Sequence, residues 1–471
     1  MFPRSVLLAG VLLALAAPLA GAASIPPTAA PQNPFMAANP NSNIHDDTWM
    51  SDTYDRAGPA GPSLTTQHGL YPPSLCGSLA FDRAGRIVSV CPSTFAPPMA
   101  RIIDPKTLAV TGSYTLPTAV DPAGTKQYQN FTGGGYFFLD QSDKLWSATK
   151  TSHLFVLAEQ PGGMGFDKVA DYDLTSVLAS DERVTSALPD FHGRIWFVSK
   201  KSGKIGILDT KTSKIGFVKL GEEIENSFAV GRDGIYIVSD KRMYRFSARN
   251  GRPHVVWKST YKNSGIVKPS QVDAGSGTTP TILHRGLVAI TDNADPMNVV
   301  VYRTAAKLKK GVKRVVCEVP VFGKGASATE NSLMGTGRSL IAENNYGYQD
   351  PFGPSMGAPT VAGFARVDVN RKLTGCRKVW TNTTEQAPSA VPKLSTFNGL
   401  IYTYVYQDDG TGAKAWQWSA IDYRTGKNVF RKTASTILLN GNNNYAGLAL
   451  GPDGSAYIGT IGGMEALRSG A

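Results

Sequence analysis

The sequence predicts an all-β fold, a single β-propeller of about eight four-stranded blades, on three observations. A turn-and-strand pattern recurs along the chain, convincing amphipathic helices are absent from it, and its last repeat is one strand short. The chain is also longer than one hydrophobic core usually organises. Radial repetition avoids that limit because each unit packs only on its neighbours.

The repeat is a Gly- or Asp-bearing turn followed by a short run of β-branched and aromatic residues, which is a strand and hairpin signal. Successive repeats begin 41 to 62 residues apart, and propeller repeats are typically about 40 to 50 residues long. The long interval between Gly337 and Gly399 leaves seven blades with one irregular insertion as the alternative. The eight turn positions are Gly85, Asp143, Gly193, Gly234, Gly286, Gly337, Gly399 and Gly454.

A second pattern, Asp-x-Lys/Arg-Thr, begins at Asp104, Asp209 and Asp422. The Asp carboxylate can accept bonds from the backbone of its own turn, and the Thr hydroxyl adds another local bond. The pattern predicts the hairpin between the third and the outermost strand of a blade, a structural role that requires no chemistry.

The last repeat, from Gly447 to Ser469, lacks one strand. A propeller that borrows this strand from the other terminus closes its ring and removes exposed sheet edges. We therefore predict a closing strand at Leu64–His68 or its neighbours.

The chain divides into three predicted regions. Residues 1–23 combine Arg4, an apolar stretch and small residues, as a secretory signal peptide does. Residues 24–60 form a Pro-, Ala- and Asn-rich lead-in that docks on the propeller, and residues 61–471 form the propeller itself. We expect a secreted protein, extracellular or periplasmic, that is monomeric and has no membrane span.

Four Cys in an exported chain favour disulfide bonds. Cys76 and Cys91 flank the turn at Asp82–Gly85 almost symmetrically, so they would face each other across an antiparallel hairpin. Cys317 and Cys376 remain and are paired by elimination. With no Cys-x-x-Cys pattern, zinc and thiol redox chemistry are poorly supported.

The formal net charge of +12 allows contact with an anionic envelope polymer, although basic residues also simply keep a protein soluble. The basic residues are spread out rather than clustered, which disfavours nucleic acid as a partner.

The runs Phe228–Asp240 and Leu448–Ile458 resemble blades of gluconolactonase-type, NHL-type and YVTN-type propellers. This resemblance extends over residues 76–468 at the level of generic blades and implies the architecture rather than an activity. Ala420–Lys427 also resembles part of the repeated motif of quinoprotein dehydrogenases, but the other blades lack it, so no bound quinone is expected. No phosphate loop is present, so no nucleotide is expected either.

Residues just before each innermost strand should project toward one mouth of the central channel, where a ligand site can form. Glu225-Asn226-Ser227 and Glu330-Asn331-Ser332 repeat the same tripeptide at such positions. Gluconolactonase and paraoxonase propellers are similar in placing Asn, Asp and Glu there around Ca²⁺, which prefers oxygen ligands. We expect a calcium site at Glu225, Asn226, Glu330 and Asn331; the alternative is that these residues satisfy backbone groups in turns. Further residues expected at this mouth are Asn130, Asp273, Asn443 and Asn444.

Two histidines are candidate catalytic groups because imidazole titrates near neutral pH. His45 lies in residues 43–55, a segment rich in carboxylates and aromatic residues within the lead-in. We expect this segment to cover the channel mouth and to supply His45 as a ligand or general base, or else to be a docked tail without chemistry. His68, close to the closing strand, is expected to face the channel.

Two functions from different classes follow. The first is a divalent-metal-assisted hydrolase or lyase that acts on a small lactone, ester or sugar-derived ligand in the channel. The second is a non-enzymatic binding propeller for an anionic envelope polymer or a protein partner. The enzyme requires a divalent ion and convergent carboxylates at one mouth, whereas the binding module requires neither.

Overall fold

Hydrogen bonding sorts the strands into eight sheets, which are the blades of a propeller. The computed structural model describes residues 25, 30–72, 74–93, 96–357, 360–435 and 441–470. The predicted signal peptide and its cleavage point lie outside these residues. Eight blades of four strands, closed by an N-terminal strand, are confirmed, and the seven-bladed alternative is excluded.

The strands follow in chain order. The first two, before the first blade, are β1 (Thr53–Tyr54) and β2 (Leu64–Leu70). Blade 1 contains β3 (Ser78–Phe81), β4 (Ile87–Cys91), β5 (Met99–Ile103) and β6 (Val110–Thr115). Blade 2 contains β7 (Phe138–Leu139), β8 (Leu145–Ala148), β9 (His153–Glu159) and β10 (Phe166–Asp173). Blade 3 contains β11 (Val184–Pro189), β12 (Ile195–Ser199), β13 (Lys204–Leu208) and β14 (Ile215–Lys219). Blade 4 contains β15 (Ala229–Gly231), β16 (Gly234–Val238), β17 (Arg242–Arg249) and β18 (Arg252–Thr260).

The second half repeats this arrangement. Blade 5 contains β19 (Thr281–Leu283), β20 (Leu287–Thr291), β21 (Asn298–Arg303) and β22 (Val315–Pro320). Blade 6 contains β23 (Met334–Thr336), β24 (Ser339–Glu343), β25 (Phe364–Val369) and β26 (Cys376–Asn382). Blade 7 contains β27 (Lys393–Ser395), β28 (Leu400–Asp408), β29 (Lys414–Asp422) and β30 (Asn428–Ser435). Blade 8 contains β31 (Leu448–Leu450), β32 (Ala456–Thr460) and β33 (Gly463–Ser469).

Helical structure in the described ranges is limited to two 3-10 turns, Gln127–Gln129 and Pro161–Gly163. No helix among the described residues is long and apolar enough to cross a lipid bilayer.

Burial explains the strand sequences. The second strand of a blade has a neighbouring strand on each side and a neighbouring blade on each face, so it reads as a continuous apolar run. In β12 every residue is buried, whereas the outermost strand of the same blade, β14, is partly exposed along its length. The cores therefore lie between blades, as repeated units that pack on their neighbours require.

The predicted turns have the expected chemistry. Gly85 has a φ of 79°, in the left-handed region that favours glycine, and the Asp82 carboxylate accepts a bond from the Arg86 backbone amide at 2.8 Å. In the second pattern, the Asp104 carboxylate accepts bonds from the backbone amide and the hydroxyl of Thr107 at 2.8 and 3.0 Å. That turn joins β5 to β6, the third and outermost strands of blade 1, as predicted.

Ring closure uses the predicted segment. β2 pairs antiparallel with β33 and becomes the outermost strand of blade 8. Both predicted disulfide bonds are present, Cys76–Cys91 and Cys317–Cys376. The second bond joins β22 of blade 5 to β26 of blade 6, so it ties two neighbouring blades together at their outer strands.

Residues 33–54, here called the N-terminal belt, run around the interior of the channel. Their backbone carbonyls accept bonds from amides of the innermost strands of six blades: Asn41 from Phe81, Ser42 from Leu139, Thr48 from Val230, Trp49 from Ile282, Ser51 from Gly335 and Asp52 from Leu394. Blade 3 is reached by the Asn33 side chain, which donates to the Pro189 carbonyl at 2.9 Å. The belt thus satisfies the inner edges of the blades, where backbone groups would otherwise have no partner.

Candidate functional site

The site is a central cavity of about 40 Å³ on the propeller axis. The innermost strands all run in one direction along this axis, so the residues before them share one end of the channel. Such residues form the wall of the cavity: Gly77, Gly135, Tyr136, Glu225, Asn226, Thr279, Glu330, Asn331, Ser332, Val391 and Tyr445.

The N-terminal belt forms the floor of this cavity through Ile44 and His45. The belt bonds to the middle or the far end of the innermost strands, beyond the wall residues. The expectation that residues 43–55 cover the mouth is therefore wrong in position, because the belt closes the channel from the opposite end. His45 nevertheless lines the same cavity as the predicted Glu and Asn residues.

Local bonds fix the backbone around His45. The Asn43 side-chain oxygen accepts a bond from the His45 backbone amide at 2.7 Å, and Asp46 adopts a φ of 76°. An Asn side chain that caps its own turn and an Asp in the left-handed region are both common in tight turns. This turn presents the imidazole to the cavity.

Asp52 and Ser332 bind one ring nitrogen of His45. Nδ1 lies 3.1 Å from Asp52 Oδ1 and 2.9 Å from Ser332 Oγ. Ser332 donates its own proton to Asp52 Oδ2 at 2.5 Å, so its oxygen is free to accept from Nδ1. These bonds place the ring proton on Nδ1 and leave Nε2 as the acceptor; Nε2 is buried and has no hydrogen-bond partner among the described residues.

A buried lysine balances the charge of Asp52. Lys393 Nζ lies 2.5 Å from Asp52 Oδ1 and 3.3 Å from Asp46 Oδ1, and it also donates to the Ile44 carbonyl. Burial opposes ionisation of Asp52, but the charge of Lys393 and the hydrogen bonds from His45 and Lys393 hold its pKa below the ordinary value. Burial raises the pKa of Asp46 well above its ordinary value despite Lys393. These shifts favour the charged form of Asp52 beside Lys393 and the protonated form of Asp46.

Glu225 and Glu330 of the wall interact with Asp273, which follows the lining residue Val272; Glu225 is buried, and Glu330 and Asp273 are half-buried. Burial raises the pKa of Glu225 to about 7, against the opposing charge of Lys200. Burial, reinforced by the charges of Asp273 and Glu225, raises the pKa of Glu330 well above its ordinary value. Burial likewise raises the pKa of Asp273 to about 6. The raised pKa favours the protonated form of Glu330, which is the form that can donate a proton.

The two predicted amides make structural bonds. Asn226 accepts a bond from the Tyr136 hydroxyl at 3.1 Å, and Asn331 donates to Glu343 Oε2 and to the Ala390 carbonyl, both at 2.8 Å. Asn331 Oδ1 has no hydrogen-bond partner. Most of the polar atoms of these two side chains are thus already hydrogen-bonded within the protein.

This donor set fits a divalent cation poorly. Lys200 Nζ lies 2.9 Å from Glu225 Oε1 and 2.7 Å from Glu225 Oε2, so an ammonium group takes the place next to this carboxylate. Within the described ranges no three His, Cys, Asp or Glu residues gather in an arrangement that could hold a metal ion. The calcium site stays a prediction, and none of the chemistry below uses it.

The remaining predicted residues lie outside the central cavity. His68 is on β2, the outermost strand of blade 8, where its Nδ1 lies 2.9 Å from Glu465 Oε1. The expectation that it faces the channel is wrong because the closing strand is the outermost strand of its blade. Asn130 and Asn444 line a neighbouring cavity. Asn443, next to Asn444 in sequence, is buried, and within the described ranges its side chain has no hydrogen-bond partner.

Sequence reasoning missed Lys393, Lys200 and Tyr136. A signal existed for Lys393, since it lies shortly before the turn at Gly399, where the repeat predicts a buried innermost strand, and a lysine is rarely fully buried unless it is paired. Tyr136 and Lys200 had no comparable signal.

Loops cross the axis above the cavity and form a roof. The Tyr445 hydroxyl donates to the Ser270 carbonyl at 2.6 Å, and the Gln129 side chain donates to the Gln271 carbonyl at 3.2 Å. Asn444 also donates to the Tyr128 carbonyl at 3.0 Å. These bonds join the loops that precede blades 2, 5 and 8, so the cavity is covered along the axis.

Comparison with known proteins gives no family. No protein-family profile matches the chain. An uncharacterized protein from Archaeoglobus fulgidus is 27% identical over 330 residues, an alignment that spans 63% of this chain and 63% of that protein. The chain thus spans less than two thirds of that relative's length.

Solved structures similar to this chain include Sqt1 from Chaetomium thermophilum, with 13% identity, 93% of this chain and 98% of that chain covered, and a TM-score of 0.48. A putative 6-phosphogluconolactonase from Bacteroides uniformis has 11% identity, with 80% and 98% covered and a TM-score of 0.42. Virginiamycin B lyase from Staphylococcus aureus has 11% identity, with 86% and 99% covered and a TM-score of 0.40. Likenesses at this level carry no argument about function.

Proposed function

We propose that the protein is an exported enzyme, a hydrolase or lyase that acts on a small lactone, ester or sugar-derived ligand by general acid–base catalysis in the central cavity. The observation that carries this proposal is His45 Nε2, which is buried without a partner in a cavity while Asp52 and Ser332 hold the other ring nitrogen. Export is supported by the two disulfide bonds, since such bonds persist in oxidising compartments.

His45 is proposed as the general base. A carboxylate that binds Nδ1–H orients an imidazole and stabilises the positive charge that forms when Nε2 takes a proton. Lys393 already balances Asp52, so the site does not require a positive charge on His45 before reaction. Ser332 lies on the Nδ1 side and donates to Asp52, so it is a positioning residue rather than a nucleophile.

Glu330 is proposed as the general acid, because it lines the same cavity as His45 and its raised pKa favours the protonated form. In hydrolysis, His45 takes a proton from water, the water oxygen attacks the carbonyl carbon, and the leaving oxygen takes the proton of Glu330. In elimination, His45 takes a proton from carbon, the carbon–oxygen bond breaks, and Glu330 again protonates the leaving oxygen.

The experiment is turnover of a panel of aryl esters and five- and six-membered lactones by purified protein. His45→Gln should lower the rate by about 100-fold or more, because a positioned base typically contributes that much. His68→Gln is the matched control, since His68 also pairs with a carboxylate but lies on an outermost strand. Equal rates for wild type and His45→Gln would contradict the proposal.

A second readout needs no substrate. An unprotonated Nε2 that is open to a cavity should react with diethyl pyrocarbonate, and peptide mapping would locate the label on His45. A native protein that is not labelled at His45, and that turns over none of the panel, would favour the binding propeller for an anionic polymer or a protein partner. The net charge of +12 is the observation in support of that alternative.

A further inference from the structure

A second cavity of about 60 Å³ lies beside the central one. We call it the side vestibule, and it is built mainly from the loop before blade 2 together with residues of blades 1, 6 and 8. The residues on which the argument depends are Leu75, Pro92, Tyr128, Phe131, Phe352 and Ile461.

The two cavities share a wall. Leu75, Pro92 and Phe131 line both the side vestibule and the central cavity. The Phe131 ring packs edge-on against Tyr445, with 5.7 Å between the ring centroids, and Tyr445 belongs to the roof. Since the roof covers the axis, the shared wall at Phe131 is the side from which the vestibule approaches the central cavity.

Three polar side chains of the vestibule are already ion-paired or hydrogen-bonded within the protein. Lys150 Nζ pairs with Asp121 at 2.7 Å, the Asn130 side-chain oxygen accepts the Thr132 hydroxyl at 2.6 Å, and Asn444 accepts the Tyr348 hydroxyl at 3.0 Å. A ligand with several charges or hydroxyl groups would have to break these bonds. Buried donors and acceptors would then be left without partners, which costs free energy.

What the vestibule presents to a ligand is therefore apolar and aromatic. Tyr128 and Phe131 are half-buried, and Phe352 is 49% exposed at the outer side. An exposed Phe beside a pocket lined by two further aromatic rings offers contact area and stacking to a planar or aliphatic group.

We infer that the side vestibule is the access route to His45 and a binding subsite for an apolar or aromatic substituent, so the substrate class is an aryl or alkyl ester or lactone. For the reacting group, this inference rests on the proposed function. For the substituent, it rests on the residues that line the side vestibule. The reacting carbonyl would lie in the central cavity and the substituent would extend past Phe131 toward Phe352.

The test measures binding and turnover separately. The binding probe is 1-naphthol, which has no ester bond to break, and its affinity is measured by fluorescence titration. Phe131→Trp should weaken binding by about 10-fold because the larger ring fills the passage. Phe352→Ser should weaken it by a smaller factor, and Phe397→Ser is the matched control, because Phe397 is 61% exposed in the turn between β27 and β28.

The turnover arm uses 4-nitrophenyl esters of increasing chain length. Phe352→Ser should raise KM for the longer esters and leave kcat unchanged, because Phe352 would contact the substituent and not the reacting atoms. Phe352 is exposed, so this variant keeps the inference testable if Phe131→Trp fails to fold.

The outcomes separate the two proposals. Naphthol binding that depends on Phe131 and Phe352, together with ester turnover that is insensitive to His45→Gln, would support the subsite and overturn the catalytic role of His45. Turnover that depends on His45, with naphthol affinity and KM unchanged by both Phe variants, would overturn the subsite alone. No measurable naphthol binding by the wild-type protein would also overturn it.

Discussion

Lys393 Nζ and Asp52 Oδ1 lie 2.5 Å apart, and both side chains are completely buried. Lys393 begins the innermost strand of blade 7, whereas Asp52 belongs to the N-terminal belt, so this ion pair connects two parts of the chain that are 341 residues apart. The same Asp52 orients His45. One carboxylate thus anchors the floor of the cavity and holds its candidate base.

We predict that Lys393→Met lowers the free energy of unfolding by about 3 to 5 kcal/mol, because it leaves Asp52 as a buried charge without a partner. Urea denaturation followed by circular dichroism measures this. Lys262→Met is the matched control: Lys262 pairs with Glu318 at 2.6 Å but is 63% exposed. An exposed pair typically contributes about 1 kcal/mol or less.

The double variant Lys393→Met with Asp52→Asn should recover part of this loss, since both charges are then gone. A double variant that is as unstable as the sum of the two single variants would show that the residues contribute independently, contrary to the assignment of an ion pair.

Stability should fall as the pH rises from 4 to 8. A carboxyl whose pKa is higher in the folded protein keeps its proton after the unfolded chain has lost one, so its contribution is full below the unfolded pKa and disappears above the folded pKa. The pKa of Glu225 is raised from 4.5 to about 7, which corresponds to about 3 kcal/mol at 1.36 kcal/mol per pKa unit.

The measurement is urea denaturation at several pH values for wild type and Glu225→Gln. Asp47, Asp273 and Glu159 also have raised pKa values and add to the same decrease of stability with pH. Only the difference between the two proteins therefore measures the contribution of Glu225. Asp52, whose pKa is lowered, acts in the opposite direction below about pH 4. Parallel curves for the two proteins would refute the assignment.

The two disulfide bonds should differ in their resistance to reduction. Cys76 and Cys91 are completely buried, whereas Cys317 and Cys376 are half-buried. A mild reductant should therefore open Cys317–Cys376 first, as alkylation and mass spectrometry of the native protein would reveal. Removing either bond should lower stability, by about 3 kcal/mol for the shorter loop and about 4 kcal/mol for the longer one.

The predicted calcium site can be tested through Lys200. If Lys200 supplies the counter-charge to Glu225, calcium should leave the melting temperature of the wild-type protein unchanged and should raise that of Lys200→Met. Thermal scans with calcium and with a chelator decide this. A calcium-dependent rise in the wild-type protein, abolished by Glu330→Gln, would instead establish the cation site predicted from the sequence.

The blades could be predicted because their signals are local. A turn such as Asp82–Gly85 determines its own hairpin, and the spacing of such turns gives the number of blades. Cys76 and Cys91 are close in sequence on either side of one such turn, so their pairing followed from the same reasoning.

The site could be predicted only in part, because it combines residues whose contacts are not local. The tripeptides at Glu225 and Glu330 identified the wall through their repeated position. The course of the N-terminal belt had no periodic signal, because its carbonyls bond to backbone amides, which any sequence supplies. That course determines that His45 lies on the floor of the cavity rather than over its mouth. It also determines that Lys393 and Ser332 are its neighbours.

The belt also constrains the order in which the molecule can be completed. Residues 41–54 leave the ribosome before any of their partners, and Leu394, which bonds to Asp52, is made more than 300 residues later. The partner of β2, β33, is the last strand of the chain. Contacts between such distant segments form slowly because a long loop must close first. The strands that fold first therefore have neither the floor of the cavity nor a closed ring around them. The arrangement of Asp52 around His45 is among the last features to form. A chain truncated anywhere before blade 7 would consequently lack the candidate base in its ordered position, however well its early blades fold.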